Sequence, residues 1–183
     1  MPRKHREDVE NGLHHVYARG NGKQPIFLRD GDRLIYLRTL SRVIERMSWR
    51  CLAYCLMENH LHLLIETPLA NLSAGMQRLH GRYAQDFNER HSRVGHVFQG
   101  RFGAVRVRSD KQLWAVAAYI ARNPVDAGLC EFAEEWTWGS HAAMIGVRRA
   151  PKWLDIPRLK SLLGGTARDP VRILAELTNQ PQT

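Results

Sequence analysis

Two apolar runs, WRCLAYCLM at 49–57 and HLHLLIE at 60–66, lie only Glu58-Asn59 apart, and this pair constrains the fold more than any other feature. Both are rich in strand formers, and a two-residue connection between such runs predicts an antiparallel hairpin. Its second strand opens with two histidines. Side chains two apart on a strand share a face, so His60 and His62 project together while Leu61 and Leu63 point the other way.

The flanking segments extend the pattern. LHHVYARGNG (13–22) alternates as a strand and stops at a Gly-Asn-Gly turn; Asp30-Gly31-Asp32 then caps a helix with apolar residues at 34, 35, 37, 40, 43, 44 and 47. Asn71-Leu72-Ser73 caps a second helix running to about residue 90, with Leu72, Met76, Leu79, Tyr83 and Phe87 as its inner stripe. GAVRVRS is a fourth strand. Ser109 or Asp110 caps a third helix, KQLWAVAAYIARN, which Pro124 is expected to end. The order β-α-β-β-α-β-α predicts an α+β sandwich of the ferredoxin-like, RRM-like split βαβ type, an antiparallel central sheet with helices packed on one face. Helical pieces in WTWGSHAAM, IPRLKSLLG and VRILAEL follow as a C-terminal extension. The expected organisation is a flexible basic arm over 1–12, one catalytic domain over 13–145 and the extension over 146–183.

Composition sets the compartment and the partner. No window holds the roughly 18 apolar residues a membrane helix needs, the first residues are charged, and three cysteines (Cys51, Cys55, Cys130) match no disulfide or CxxC framework. A soluble cytoplasmic protein with packing cysteines and no membrane contact is expected. Lys and Arg number 27 against 18 Asp and Glu, a net charge of +9. That surplus, mostly arginine, is the electrostatic footprint of a polyanion partner.

On the third helix Leu113, Val116, Ala117 and Ile120 form the core stripe, while Tyr119 and Asn123, four apart, stack on one flank among the small Ala115, Ala118 and Ala121. Two strand imidazoles, a helix phenol and a side-chain oxygen one turn beyond suit phosphodiester cleavage. A divalent ion held by His60, His62 and an oxygen ligand would polarise a phosphate oxygen while Tyr119 attacks phosphorus. The bland alternative is that the histidines are structural, which an HxH pair taken alone favours; zinc is the other metal reading, although an open imidazole and oxygen set suits a harder ion. Tyr83 competes as nucleophile but falls on an apolar stripe, and Tyr17, Tyr36 and Tyr54 follow core patterns.

These residues resemble a known family. ENHLHLL is similar to the HUH motif of single-tyrosine transposases, and AAYIARNPVDAGL resembles their nucleophile helix. YAQDFNERHSRVGHVFQGRF and LHHVYARGNGKQPIF resemble the linking segment and the first strand of the REP-associated tyrosine transposases, so the likeness spans residues 13–142. It implies His60, His62 and Asn123 as ligands of Mg2+ or Mn2+ and Tyr119 as the nucleophile that cuts single-stranded or hairpin DNA, leaving a 5′-phosphotyrosine and a free 3′-OH. It further implies a monomer, with a dimer as the alternative. Glu58 departs from the proline common before the Asn-His, and Gly139-Ser140-His141 from the commoner Ser-Ser-Tyr.

Arginines between 78 and 108 interleave with His96, Phe98, Gln99 and Phe102, a mix that tracks phosphates and stacks unpaired bases. Arg19, Asn21, Arg82, His96, Gln99, Arg101, Arg106 and Arg108 are the expected DNA contacts, with the arm PRKHR (2–6) ordering on DNA. Rival functions are a non-catalytic nucleic-acid-binding regulator that kept the fold, and a metal phosphohydrolase using activated water.

Overall fold

A computed structural model of the chain describes residues 9–164 together with Ala175, Glu176 and Thr178. Four strands, β1 (Gly12–Arg19), β2 (Arg50–Leu56), β3 (His60–Thr67) and β4 (Gly103–Arg106), form one antiparallel sheet in the order β2-β3-β1-β4. Helices α1 (Asp30–Met47) and α2 (Leu72–Arg90) connect β1 to β2 and β3 to β4, each skipping over one intervening strand. This is the expected ferredoxin-like split βαβ arrangement.

Strand alternation decides which layer each side chain meets. Val16, Ala18, Leu61, Leu63 and Ile65 turn to one face and pack with Tyr36 and Leu40 of α1 and Met76, Leu79, Tyr83 and Phe87 of α2. Tyr83 is buried there and its hydroxyl donates to the Ile26 carbonyl, which removes it as a nucleophile. α1 starts where the Asp32 carboxylate accepts from the backbone N–H groups of Leu28 and Arg29, each at 2.9 Å. Asn71 precedes α2 without capping it: its side chain accepts from Trp49 Nε1 at 2.7 Å and donates to the Met47 carbonyl, tying the end of α1 to β2.

The other face carries α3 (Asp110–Asp126), the single turn α4 (His141–Met144) and α5 (Ile156–Leu163). Leu113, Ala117 and Ile120 of α3 and Leu159 and Leu163 of α5 pack on Ala53, Cys55 and Leu64. One-face packing therefore describes α1 and α2, while α3 and the described part of the extension build a second core behind the sheet. α3 also outlasts Pro124, contrary to the sequence expectation, and runs to Asp126. A proline this near a helix end forfeits only one backbone bond. The stop is Gly128, left-handed at φ 69. The Leu129 N–H donates to the Pro124 carbonyl and the Gly128 N–H to the Val125 carbonyl, both at 2.9 Å, a Schellman closure.

Gly12, assigned by sequence to the arm, is the first residue of β1, whereas the PRKHR arm and most of VRILAEL lie outside the described residues. Cys51, Cys55 and Cys130 are free thiols, the first two buried. Among the described residues no helix is long and apolar enough to cross a membrane.

Candidate active site

The face of the sheet turned toward α3 receives the odd residues of β1 and the even residues of β3. Register sets Tyr17 opposite His62 and Arg19 opposite His60, with His15 two residues before Tyr17 on the same face. α3 crosses above. The Ser109 hydroxyl, accepting from the Gln112 N–H at 3.3 Å, starts the helix, and burial of Leu113, Ala117 and Ile120 turns the flank carrying Tyr119 and Asn123 toward the histidines. The ring of Tyr119 lies 5.2 Å from that of His62, and His62 lies 5.3 Å from His60. Asn123 Oδ1 is 2.8 Å from His60 Nε2. The structure thus assembles His60, His62, Tyr119 and Asn123 in one place, with Asn123 buried and Tyr119 47% exposed at the rim.

Two members of this cluster escaped the sequence reading. His15 Nε2 sits 3.0 Å from His62 Nδ1, and its ring is 5.8 Å from that of Tyr119. Tyr17, assigned by pattern to the core, is instead 43% exposed on the site face. Its ring covers Gly103, where an added Cβ would fall within 2.2–2.7 Å of ring atoms. The available signal was parity: His15, Tyr17 and Arg19 alternate on one side of β1, but only the pairing of β1 with β3 makes that side the histidine face.

The electrostatics prepare neutral imidazoles. Burial, reinforced by His15 and His60, pushes His62 down to about 3, and burial also lowers His15. Asn59 Nδ2 donates to the Lys23 carbonyl, which leaves Asn59 Oδ1 facing His60 Nδ1 at 2.7 Å. Nδ1 of His60 therefore carries the hydrogen, and in the neutral ring Nε2 holds a lone pair aimed at the lone pairs of Asn123 Oδ1. Two such lone pairs at 2.8 Å repel unless a positive charge lies between them. Adjacent ligands of an octahedral ion bound at about 2.1 Å stand about 3 Å apart, so the pair fits a small hard cation. Among the described residues no group of three His, Cys, Asp or Glu is placed to hold a metal.

The expected DNA contacts divide. Arg19 is exposed beside His60. The Gln99 N–H donates to the Arg19 carbonyl and the Asn21 N–H to the Val97 carbonyl, both at 2.9 Å, which stitches the 95–102 loop to the end of β1. Asn21, His96, Gln99 and Arg101 line a cavity of about 940 Å³ between α2 and the 95–102 loop that also contacts His80, which stacks on Phe98 at 4.1 Å. The other three lie elsewhere. Arg82 pairs with Asp86 at 2.9 Å, Arg106 lies opposite His14 on the face away from the histidines, and the Arg108 N–H donates to Gln112 Oε1 at the start of α3.

The site is thus a ferredoxin-like sheet with paired histidines, a buried amide and a rim phenol on its α3 face. The family model for IS200-like transposases matches residues 8–123, and the chain belongs to that family. A Haemophilus influenzae protein named for the REP-associated tyrosine transposases is 27% identical over 128 residues, 63% of this chain and 73% of that protein. A solved REP-associated tyrosine transposase, bound to a REP hairpin, shares the fold with a TM-score of 0.68 at 16% identity, over 82% of this chain and 89% of that one.

Proposed function

We propose that this chain is a metal-dependent endonuclease and strand transferase for single-stranded DNA, acting at hairpin-forming repetitive elements. One observation carries the reading: Tyr119 and Asn123, successive turns of one helix flank, meet His62 at 5.2 Å ring to ring and His60 at 2.8 Å. Membership of the IS200-like family supports transposase chemistry, and the related structure solved with a REP hairpin supports the substrate class.

His60 and His62 through Nε2 and Asn123 through Oδ1 would hold Mg2+ or Mn2+. Bound there, the ion supplies Lewis-acid polarisation of a non-bridging phosphate oxygen. Asn59 fixes the proton of His60 on Nδ1, and His15, accepting the Nδ1–H of His62 at Nε2, does the same for its neighbour, so both rings present Nε2. The Tyr119 phenol attacks phosphorus and gives its proton to solvent. The new Oη–phosphorus bond forms a 5′-phosphotyrosine as the bond to O3′ breaks, and the departing oxygen is protonated to a 3′-OH. Because the phosphotyrosyl ester keeps the energy of the broken bond, a 3′-OH can attack it in turn and transfer the strand without a nucleoside triphosphate. Arg19 and Arg101 would hold flanking phosphates, with unpaired bases in the cavity beside His96 and Gln99.

The test uses 3′-labelled single-stranded hairpin oligonucleotides taken from repeats flanking the gene, with Mn2+ or with chelator. Label co-migrating with the denatured protein is expected with Mn2+, and is lost with chelator and in Tyr119→Phe. Binding without any cleavage would identify a non-catalytic regulator, and cleavage without adduct a water-using phosphohydrolase.

A further inference from the structure

A second basic groove lies on the side of the sheet away from Tyr119, between α1 and the 149–153 segment. It encloses about 560 Å³ and is lined by Arg38, Arg42, Arg149, Leu34, Tyr54 and Trp153 among others. Arg38 and Arg42 are exposed one helical turn apart, a spacing at which like charges repel. Neither they nor Arg149 makes an ion pair or hydrogen bond among the described residues. The carboxylates flanking Arg38 and Arg42 toward α2 are occupied: Asp86 pairs with Arg82, and Glu89 accepts from Gln85. Apart from the three arginines and Ser41 the lining is apolar and aromatic. Trp153 and the buried Tyr54 lie 5.4 Å apart ring to ring, with planes tilted by 41°.

Arginine fans phosphate oxygens with a planar fork, and an indole offers a stacking face that accepts any base. A double-stranded stem presents phosphates but no open base face, so an aromatic floor suits an unpaired nucleotide. The hollow is of a size that encloses one such group. We infer that this groove is a second nucleic-acid site, taking one unpaired nucleotide of the strand outside the hairpin, its base against Trp153 and its neighbouring phosphates on Arg38, Arg42 and Arg149. The inference rests on the reading of the chain as a DNA strand transferase and adds a contact on the opposite face of the sheet. The bound strand therefore passes round an edge of the sheet.

The experiment compares a blunt hairpin oligonucleotide with the same hairpin carrying a long single-stranded tail, using the unmodified full chain and the Arg38→Ala/Arg42→Ala/Arg149→Ala variant. On the tailed probe the variant is expected to bind about tenfold more weakly at low salt, with a salt slope smaller by about 2, the sum of three single-strand phosphate contacts at roughly 0.7 each. Affinity for the blunt probe stays unchanged. Wild-type affinity and slope on the tailed probe would overturn the inference, and so would an equal loss on both probes. Photocrosslinking from 5-bromouracil in the tail to the unmodified chain does not depend on the variant's folding. Crosslinks on the peptide holding Trp153 are expected; crosslinks confined to other peptides, or a poly-glutamate peptide that displaces the tail from Trp153, count against it. An unmodified protein that binds neither probe overturns the nucleic-acid reading itself.

Discussion

Asn59 sets the chemistry of His60 before any substrate arrives. With its amide nitrogen committed to the Lys23 carbonyl, its oxygen dictates which imidazole nitrogen carries the proton, and hence that Nε2 faces Asn123. Asn123→Ala is expected to weaken Mn2+ binding about tenfold or more, while Asn123→Asp, which keeps an oxygen at that point, retains it; isothermal titration of Mn2+ into each variant decides. The two rim phenols are separable in the same way. Tyr119 stands 5.2 Å from His62 ring to ring on a helix flank, whereas Tyr17 stands 6.4 Å away and is pinned over Gly103. Tyr119→Phe is expected to remove the covalent adduct and Tyr17→Phe to leave it, with denaturing gels as the readout; the reverse pattern would reassign the nucleophile to Tyr17. Local rules made four of the six residues of this cluster legible in the sequence. Period-two spacing exposed His60 and His62, and the four-residue step exposed Tyr119 and Asn123. His15 and Tyr17 were hidden because their role depends on β1 pairing with β3 more than forty positions away, which no local periodicity encodes.

α3 carries both proposed ligand and nucleophile, so its C-terminal closure matters to the site. The proline that a sequence reading takes for a stop does not end the helix, whose ladder continues past it to the Ala127 N–H on the Asn123 carbonyl. What ends α3 is the left-handed Gly128, which lets two backbone N–H groups turn back onto Pro124 and Val125. Gly128→Ala places a Cβ in a conformation that disfavours it by about 1–2 kcal/mol. A loss of about 1 kcal/mol in urea unfolding is expected, with the adduct still formed, since nothing lies within 4 Å of the position a Cβ would take. An unchanged midpoint would show that the helix end relaxes instead. The amphipathic stripes of α1, α2 and α3 are equally clear in the sequence, but a stripe says only that a helix is covered, never by which face of the sheet. That is why α3 and α5 fall on the far side without any local signal announcing it.

At the scale of the molecule, buried neutral imidazoles couple stability to pH. In the unfolded chain a histidine takes up a proton near pH 6.5, whereas folded His62 and His80, desolvated by burial, resist protonation down to about 3. Between those values the unfolded state binds more protons, so stability is full above about pH 6.5 and falls as pH drops, by about 1.4 kcal/mol per unit for each histidine. Glu66 acts in the same direction at lower pH. Hydrogen bonds from Arg158, and secondarily from Arg50, outweigh its burial and hold its carboxyl below the usual range, so the stabilisation it gives above its unfolded pKa is lost as pH falls through the folded one. The clean separation is His80→Gln, since His80 lies remote from the proposed cation, stacked on Phe98 and hydrogen-bonded to the Tyr36 hydroxyl at 3.3 Å. Glutamine keeps a polar partner for Tyr36 and cannot titrate. Urea midpoints measured with chelator present, near pH 7.5 and again near pH 5, should fall less steeply for the variant than for the unmodified chain, because the His80 term is gone while those of the other buried histidines, His62, His15 and His141, remain. Equal steepness would mean that His80 is protonated in the folded state, and that the aromatic packing between sheet and α2 tolerates a charge at its centre.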